Sequence, residues 1–262
     1  MVEQNEGPSR PVTDQRRARR AEVLLVLAVS LGASAVYSMV SLIAKLTAPG
    51  GLAKQTATLN PSVVPDRPWL DLTYQLLGVA FGVVPALFSV HLLSRDPGDA
   101  RVTLGLDRRR PGFDLATGAA LAALIGVPGL GLYLLARALE LNANVVPAAL
   151  PPQWWAVPVL VLAAVQNAVL EEVVVVGYLM TRLRQMGQRF VPVILMSAIL
   201  RGSYHLYQGI GAFVGNAVMG VVFALFYARF RRVLPLIVAH TILDIVSFVG
   251  YALLKDHLSF LR

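Results

Sequence analysis

Six ionisable residues interrupt three otherwise apolar stretches in the C-terminal part of the sequence. Along the chain they are Glu171 and Glu172, Arg201 and His205, and His240 and Asp244. Residues four apart lie on the same face of a helix, so Arg201 pairs with His205 and His240 pairs with Asp244. A carboxylate shielded from bulk water can act as a general base, and imidazoles can relay a proton or donate to an oxyanion. Such a set is suited to hydrolysis by an activated water molecule.

The stretches that must position these residues are apolar enough to lie in a membrane. Hydrophobic residues make up 56% of the 262 residues and charged residues 15%, whereas soluble domains contain about 25% charged residues. A helix needs about 20 apolar residues to cross the bilayer core. Seven blocks approach this length, at 23–46, 70–93, 115–135, 154–180, 190–207, 211–227 and 233–254. The sequence therefore predicts an all-α transmembrane bundle of about seven helices, with six to eight as the range.

The polar faces of three of these helices are expected to meet in one site. An ionisable side chain in the middle of a membrane is costly and usually marks function. Polar faces within one bundle are satisfied only when they contact each other. The alternative is a purely structural network of ion pairs among Glu171, Arg201 and the histidines, and the sequence leaves it open.

The net charge of +8 reflects membrane topology rather than nucleic-acid binding. Sixteen of the 23 lysines and arginines lie before the first apolar block or in the connections after the second, fourth and sixth blocks, and only six lie at the end of the first block, in the other connections and in the C-terminal tail. Cytoplasmic loops of membrane proteins are rich in these residues. We therefore expect a cytoplasmic N-terminus, a C-terminus on the opposite face and no nucleic-acid partner. The expected location is a cell membrane, namely a bacterial plasma membrane.

Polarity divides the chain into four segments. Residues 1–21 are basic and are predicted to form a disordered cytoplasmic tail, and residues 22–153 contain the first three helices and their loops. Residues 154–254 form the predicted functional core, and residues 255–262 form a second tail. Cysteine is absent, which excludes disulfides, thiolate metal ligands and a cysteine nucleophile.

The core resembles a known family in the order and spacing of three motifs. Two adjacent glutamates followed by Gly-Tyr-Leu precede a helix with a single histidine and then a His-x-x-x-Asn/Asp pattern. This arrangement resembles the CPBP family of intramembrane proteases, which includes type II CAAX prenyl endopeptidases and proteins of abortive infection and bacteriocin processing. The resemblance implies a helical membrane endopeptidase whose partners are the lipid bilayer and a membrane-protein, lipidated or leader-bearing substrate.

The resemblance also implies a role for each candidate residue. Glu171 would activate the water molecule with His205 as its partner, and Glu172 would support them. His240 and Asp244 would lie on the side of the oxyanion.

Two positions depart from the pattern of this family. Val176 stands where the family has an arginine, and Arg201 stands where it has an aromatic residue four positions before the histidine. Carboxylates that share a dry site need a compensating cation. We therefore expect Arg201 to replace the missing arginine from the neighbouring helix and to neutralise Glu172 or Asp244.

The sequence does not decide whether the site needs a metal ion. We expect no cofactor, because the compact His-Glu-x-x-His motif of many zinc proteases is absent and two adjacent glutamates are not expected to face one ion. The alternative is a zinc site with Glu171, His205 and His240 as ligands.

Two other classes of function are compatible with the sequence. A non-catalytic scaffold or a bacteriocin-immunity protein could have the same fold without hydrolysis. A small proton-coupled transporter would use the mid-membrane charges as a relay, but such transporters often contain inverted repeats, and the sequence shows no such repeat.

Reporter fusions test the predicted topology. A reporter after Arg110 or Arg232 should be cytoplasmic and one after Asn144 should be outside, because the arginine-rich connections remain in the cytoplasm. The control is to fuse two different reporters at every position, one active only in the cytoplasm and one active only outside, which should give opposite results. A fusion at Arg262 that reports from the cytoplasm would indicate an even number of crossings and contradict the seven-helix arrangement.

Overall fold

The computed structural model describes residues 12–255 and residue 257, and this part of the chain is almost entirely helical. The helices are α1 (Val12–Ala28), α2 (Leu31–Thr47), α3 (Pro68–Gly82), α4 (Val84–Leu93), α5 (Ala100–Leu104), α6 (Pro111–Ala138), α7 (Ala156–Glu171), α8 (Leu179–Gln185), α9 (Phe190–Ser203), α10 (Ile210–Phe230) and α11 (Leu234–Leu254). A π-helical segment, Glu172–Tyr178, joins α7 to α8. Two short strands, β1 (Thr56–Thr58) and β2 (Asn144–Val146), pair in parallel.

The all-α membrane bundle predicted from the sequence is confirmed, whereas the count of seven crossings is not. Within the described residues, five helical stretches are long and apolar enough to cross a membrane, at 68–93, 111–138, 156–185, 210–230 and 234–254. The pair α1–α2, bent by 52°, makes up to six. Helix α9 has 14 residues, about 21 Å at 1.5 Å per residue, and so falls short of the bilayer core. The protein is a multi-pass membrane protein, and its orientation stays a prediction.

Helix α9 is shorter than predicted because the chain turns away before the expected end at residue 207. The turn ends at Gly209, whose φ of 128° is a conformation that L side chains rarely adopt. A Cβ at this position would also lie 2.5 Å from the carbonyl oxygen of Leu141. The turn is thus fixed against the end of α6, and α9 packs against α10.

The segment 1–21, predicted to be a disordered tail, is helical over residues 12–21 in α1, and residues 1–11 lie outside the described residues. Its run of alanine, arginine and glutamine favours a helix. Glu22 fixes the helix in place, because its Oε1 accepts hydrogen bonds from the Tyr178 hydroxyl at 2.8 Å and from Arg182 Nε at 2.7 Å. Of the predicted tail 255–262, only Lys255 and His257 are described.

Arg182 is a buried residue, although by sequence it belongs to the arginine-rich connection after the fourth apolar block. Its guanidinium donates to Glu22, to Asp96, to the Gln185 side chain and to the carbonyl oxygen of Leu92. The pairing joins α1, the end of α4 and α8. A guanidinium with all these acceptors can be buried without an unpaired charge.

Arg232 forms a second such cluster at the start of α11. It donates to both oxygens of Asp114 on α6 at 2.7 Å and to Asp107 at 3.0 Å. The backbone N–H of Arg109 and the guanidinium of Arg232 lower the pKa of Asp107, so this carboxylate stays ionised as a partner. The cluster fixes the connection between α5 and α6 to the bundle.

The π-helical segment forms the centre of the core. All of its seven residues are buried, four of them consecutive valines. The wider π turn shifts carbonyl groups away from their α-helical partners, and the Ser197 hydroxyl of α9 donates to the carbonyl oxygen of Val175 at 3.0 Å. Single π turns are frequent at functional sites, and this one begins at Glu172.

Helix α2 holds the turn between α9 and α10. The Ser38 hydroxyl donates to the carbonyl oxygen of Tyr204 at 2.8 Å, and Lys45 Nζ donates to that of Tyr207 at 2.5 Å. From the other side, the N–H of Ile210 donates to the carbonyl oxygen of Leu141 at 2.9 Å. Three hydrogen bonds, two from α2 and one to Leu141, thus position the turn that carries His205.

Substitution of Ser197 tests the support of the π-helical segment. Ser197→Ala leaves the Val175 carbonyl without its side-chain donor in a buried environment, so the free energy of unfolding should fall by about 1–2 kcal/mol. The matched control is Ser203→Ala on the same helix, because that exposed hydroxyl donates only to the Ile199 carbonyl one turn back. Denaturant unfolding in detergent measures both, and equal losses would contradict the proposed support.

Candidate active site

The six candidate residues lie where the end of α7, the π-helical segment, α9, the turn after α9 and α11 come together. Arg201 of α9 is fully buried at the centre. Its Nη2 donates to Glu172 Oε1 at 2.6 Å and its Nη1 to Glu171 Oε2 at 3.3 Å. The expected pairing of Arg201 with Glu172 is therefore present, and Glu171 shares the same cation.

The two adjacent glutamates face the same cation, contrary to the sequence-based expectation. Neighbouring residues of an α-helix project about 100° apart, which had suggested that Glu171 and Glu172 would diverge. The α-helix ends at Glu171 and the π-helical segment starts at Glu172, so the usual angle does not apply. Ligand atoms of Glu171, Glu172 and His240 all lie within 4.8 Å of one another.

The environments of the two glutamates differ in access to water. The Glu172 side chain is fully buried, whereas 11% of the Glu171 side chain is exposed. Arg201 and the hydroxyl of Tyr204, at 2.7 Å, both contact Oε2 of Glu171. These contacts leave Oε1 of Glu171 available to a water molecule.

Tyr204 is a site residue that the sequence analysis did not select. It lies three positions after Arg201, which places the two on the same face at the end of α9, and this spacing was the available signal. Its carbonyl oxygen is held by Ser38 of α2, and its hydroxyl donates to Glu171. Tyr204 therefore connects α2 to the candidate base.

His240 of α11 pairs with Glu172 rather than with Asp244. Its Nδ1 lies 2.7 Å from Glu172 Oε1, and because the carboxylate is the acceptor, Nδ1–H is the donor. Asp244 Oδ1 is 3.7 Å from Nε2 on the other edge of the ring, beyond hydrogen-bond distance. The Asn167 side chain interacts with Asp244.

His205 lies in the turn after α9 and not on the helix, because α9 ends at Ser203. Its Nδ1 is 2.9 Å from the carbonyl oxygen of Arg201, so Nδ1–H donates and Nε2 has a free lone pair. The ring lies 4.8 Å from that of Tyr204, within electrostatic range of Glu171 and His240. The turn thus holds His205 beside Tyr204, which is bound to Glu171.

The residues that come together differ from the alternative zinc set and already share a cation, Arg201. The alternative zinc set of Glu171, His205 and His240 is not assembled; the cluster found within the described residues contains Glu172 in place of His205. In that cluster Arg201 already lies 2.6 Å and 3.3 Å from the two carboxylates. A metal ion there would be repelled by a fixed positive charge, and Glu172 Oε1 already serves both Arg201 and His240.

Two buried polar atoms of the site have no hydrogen-bond partner among the described residues, namely Glu172 Oε2 and Arg201 Nε. A buried unpaired group costs about 1–3 kcal/mol. Arg201 is also stabilised by the ring of Phe223, whose centroid is 5.4 Å from Cζ. The cluster thus combines strong pairing with unpaired groups, as is found at functional sites.

Comparison with protein families identifies this region. Residues 153–246 match the family model described as type II CAAX prenyl endopeptidase Rce1-like. This segment is Rce1-like. The resemblance inferred from the three motifs is confirmed here, and the Rce1-like segment contains all six candidate residues. No curated protein and no solved structure matches the chain.

Removal of Arg201 from the Rce1-like segment should be the most damaging single arginine substitution. Arg201→Ala leaves Glu171 and Glu172 without a cation in a buried site, which should lower the free energy of unfolding by roughly 3–5 kcal/mol. Arg182→Ala should cost less, because its partners Glu22 and Asp96 are each 23% exposed and can be solvated.

The exposed Arg229, which has no carboxylate partner among the described residues, is the control, and Arg229→Ala should change stability by less than about 0.5 kcal/mol. Thermal unfolding in detergent ranks the three variants. If Arg201→Ala were as stable as Arg229→Ala, the buried ion pairs of Arg201 would contribute nothing to the free energy of unfolding.

Proposed function

We propose that the protein is an intramembrane endopeptidase in which Glu171 activates a water molecule. The observation that carries the proposal is the contrast between the two glutamates within the Rce1-like segment. Glu172 is fully buried between Arg201 and His240, whereas the side chain of Glu171 keeps 11% of its surface exposed. A general base must reach both its water molecule and the substrate.

In the proposed reaction Oε1 of Glu171 takes a proton from water, and the water oxygen attacks the carbonyl carbon of the scissile peptide. The carbonyl oxygen of the substrate becomes an oxyanion. Collapse of the tetrahedral intermediate breaks the C–N bond, and Glu171 returns the proton to the leaving amine. Arg201 and the Tyr204 hydroxyl both donate to Oε2 of Glu171, and these hydrogen bonds hold the Glu171 carboxylate in one orientation throughout the reaction.

The histidines take the supporting roles. His240 donates its Nδ1–H to Glu172, so its Nε2 edge is left for the oxyanion, to which it donates when the ring is the doubly protonated imidazolium. Asp244 beside this edge must be protonated or must serve to orient the ring, since an ionised carboxylate repels an oxyanion. His205, with Nε2 free, can relay the proton from Glu171 to the leaving amine.

The reaction is proposed without a metal ion, because the Arg201 guanidinium supplies the positive charge beside the carboxylates. The proposed substrates are membrane-associated peptides such as prenylated C-termini, leader peptides or membrane anchors. The proposed setting is a bacterial plasma membrane, with the N-terminus in the cytoplasm.

One observation favours a second candidate, a non-catalytic scaffold or immunity protein of the same fold. Arg201 Nη1 lies 3.3 Å from Glu171, and an ion pair weakens a carboxylate as a base. In that case Glu171 would stabilise the fold through its ion pair with Arg201 and would have no catalytic role.

Glu171→Gln separates the two candidates. The amide keeps the shape of the side chain but cannot accept the proton, so cleavage should fall by at least about 10²-fold. Comparative membrane proteomics of cells with the wild-type and variant proteins measures this as accumulation of uncleaved substrate.

The matched control is Glu22→Gln, which also neutralises a carboxylate paired with a buried arginine but lies outside the site. Glu22→Gln should alter stability and leave the pattern of cleaved proteins unchanged. The contradicting outcome is a membrane proteome of Glu171→Gln cells that equals that of wild-type cells when both proteins are present at the same level. It would exclude Glu171 as the base and favour the non-catalytic scaffold.

A further inference from the structure

A second polar cavity lies at the end of the bundle where α5, α8 and α10 meet. It has a volume of about 410 Å³ and is lined by Thr103, Thr181, Arg184, Gln185 and Arg231. Thr181 follows Glu171 by about ten residues, so the cavity is roughly 15 Å further along the helix. It is therefore separate from the candidate active site.

The lining is positively charged. Arg184 and Arg231 are exposed, and neither is paired with a carboxylate in the part of the chain that the structure describes. Asp96 lines the adjoining small cavity, but Arg182 and the Gln185 amide already donate to it. The net charge of the larger cavity is thus that of its two guanidinium groups.

The wall of the cavity includes the hydroxyl of Thr181, behind which the Tyr227 side chain is buried. Thr181 Oγ1 lies 3.2 Å from the hydroxyl of Tyr227, and both residues are buried. Arg231 lies over the Tyr227 ring, with its Cζ 5.7 Å from the centroid. Two guanidinium groups and the Thr181 hydroxyl therefore line one space, and guanidinium and hydroxyl donors are groups that bind phosphate oxygens.

The backbone of Arg231 determines its position in the cavity. The residue has a φ of 53° at the end of α10, and its N–H donates to the Tyr227 carbonyl oxygen at 2.8 Å. This left-handed position after a helix is usually occupied by glycine. From this position the Arg231 side chain folds back over the Tyr227 ring.

The surroundings of the cavity indicate a lipid rather than a soluble ligand. Leu225 and Phe230, in the last turns of α10 before Arg231, are 48% and 42% exposed. Large apolar side chains that face outward on a membrane-spanning helix contact acyl chains. The cavity therefore lies at the level where the apolar part of the helix ends and lipid headgroups begin.

We propose that this cavity binds the phosphate group of an anionic membrane lipid. Arg184 and Arg231 pair with the phosphate oxygens, and the acyl chains lie along the apolar surface of α10. Basic pockets between helix ends are known to bind phospholipid headgroups. The proposal is independent of the proposed hydrolysis, because it uses none of the residues of the candidate active site.

The test is native mass spectrometry of the full chain in detergent with added phosphatidylglycerol. The variant is Arg184→Gln combined with Arg231→Gly, since glycine suits the backbone at position 231. The control is Arg108→Gln combined with Arg229→Gln, which removes the same charge from exposed arginines outside the cavity. The cavity variant should bind the lipid roughly 30-fold more weakly than wild type, and the control should bind it like wild type.

Two further arms distinguish the source of the phosphate. Phosphatidylcholine, with a zwitterionic headgroup, should bind more weakly than phosphatidylglycerol. Equal binding of both lipids, or equal losses in the cavity and control variants, would overturn the proposal. Inorganic phosphate that binds as tightly as phosphatidylglycerol would assign the site to free phosphate and would also overturn it.

Discussion

The ion pairs between one guanidinium and two carboxylates determine how the C-terminal helices can be arranged. Arg201 cannot lose its charge in a protein, and it is buried where water does not reach it. Glu171 and Glu172 must therefore both lie beside it, which fixes α9 against the junction of α7 and the π-helical segment. His240 joins the cluster through Glu172, so α11 is held by the same charge.

The same constraint recurs at the end of the bundle that carries the arginine-rich connections. Arg182 and Arg232 are each buried with two carboxylates from distant parts of the chain. Apolar helices in a membrane gain little from burying apolar surface against one another. Several helix packings can therefore have similar van der Waals energies. The charged clusters favour the one packing in which each buried guanidinium meets its carboxylates.

Much of the fold and part of the site could be predicted from the sequence. The membrane helices could be predicted because long apolar blocks mark them. The pairing of Arg201 with Glu172 could be predicted because position 176 has no arginine. The π-helical segment could not be predicted, because four valines are equally compatible with an α-helix. Because this segment begins at Glu172, Glu171 and Glu172 can face the same cation. Tyr204 was missed because a tyrosine in an apolar helix is usually a packing residue, and its hydrogen bond depends on where α9 ends.

The contacts of α2 with the site have a consequence for biosynthesis. Ser38 and Tyr204 are separated by 166 positions, and Lys45 and Tyr207 by 162. Synthesis proceeds from the N-terminus, so α2 is made long before the carbonyl groups to which it donates. Until then the Lys45 ammonium needs water or lipid headgroups as its partners. The turn that carries His205 is therefore completed only after α9 and α10 have been inserted beside a helix already in the membrane.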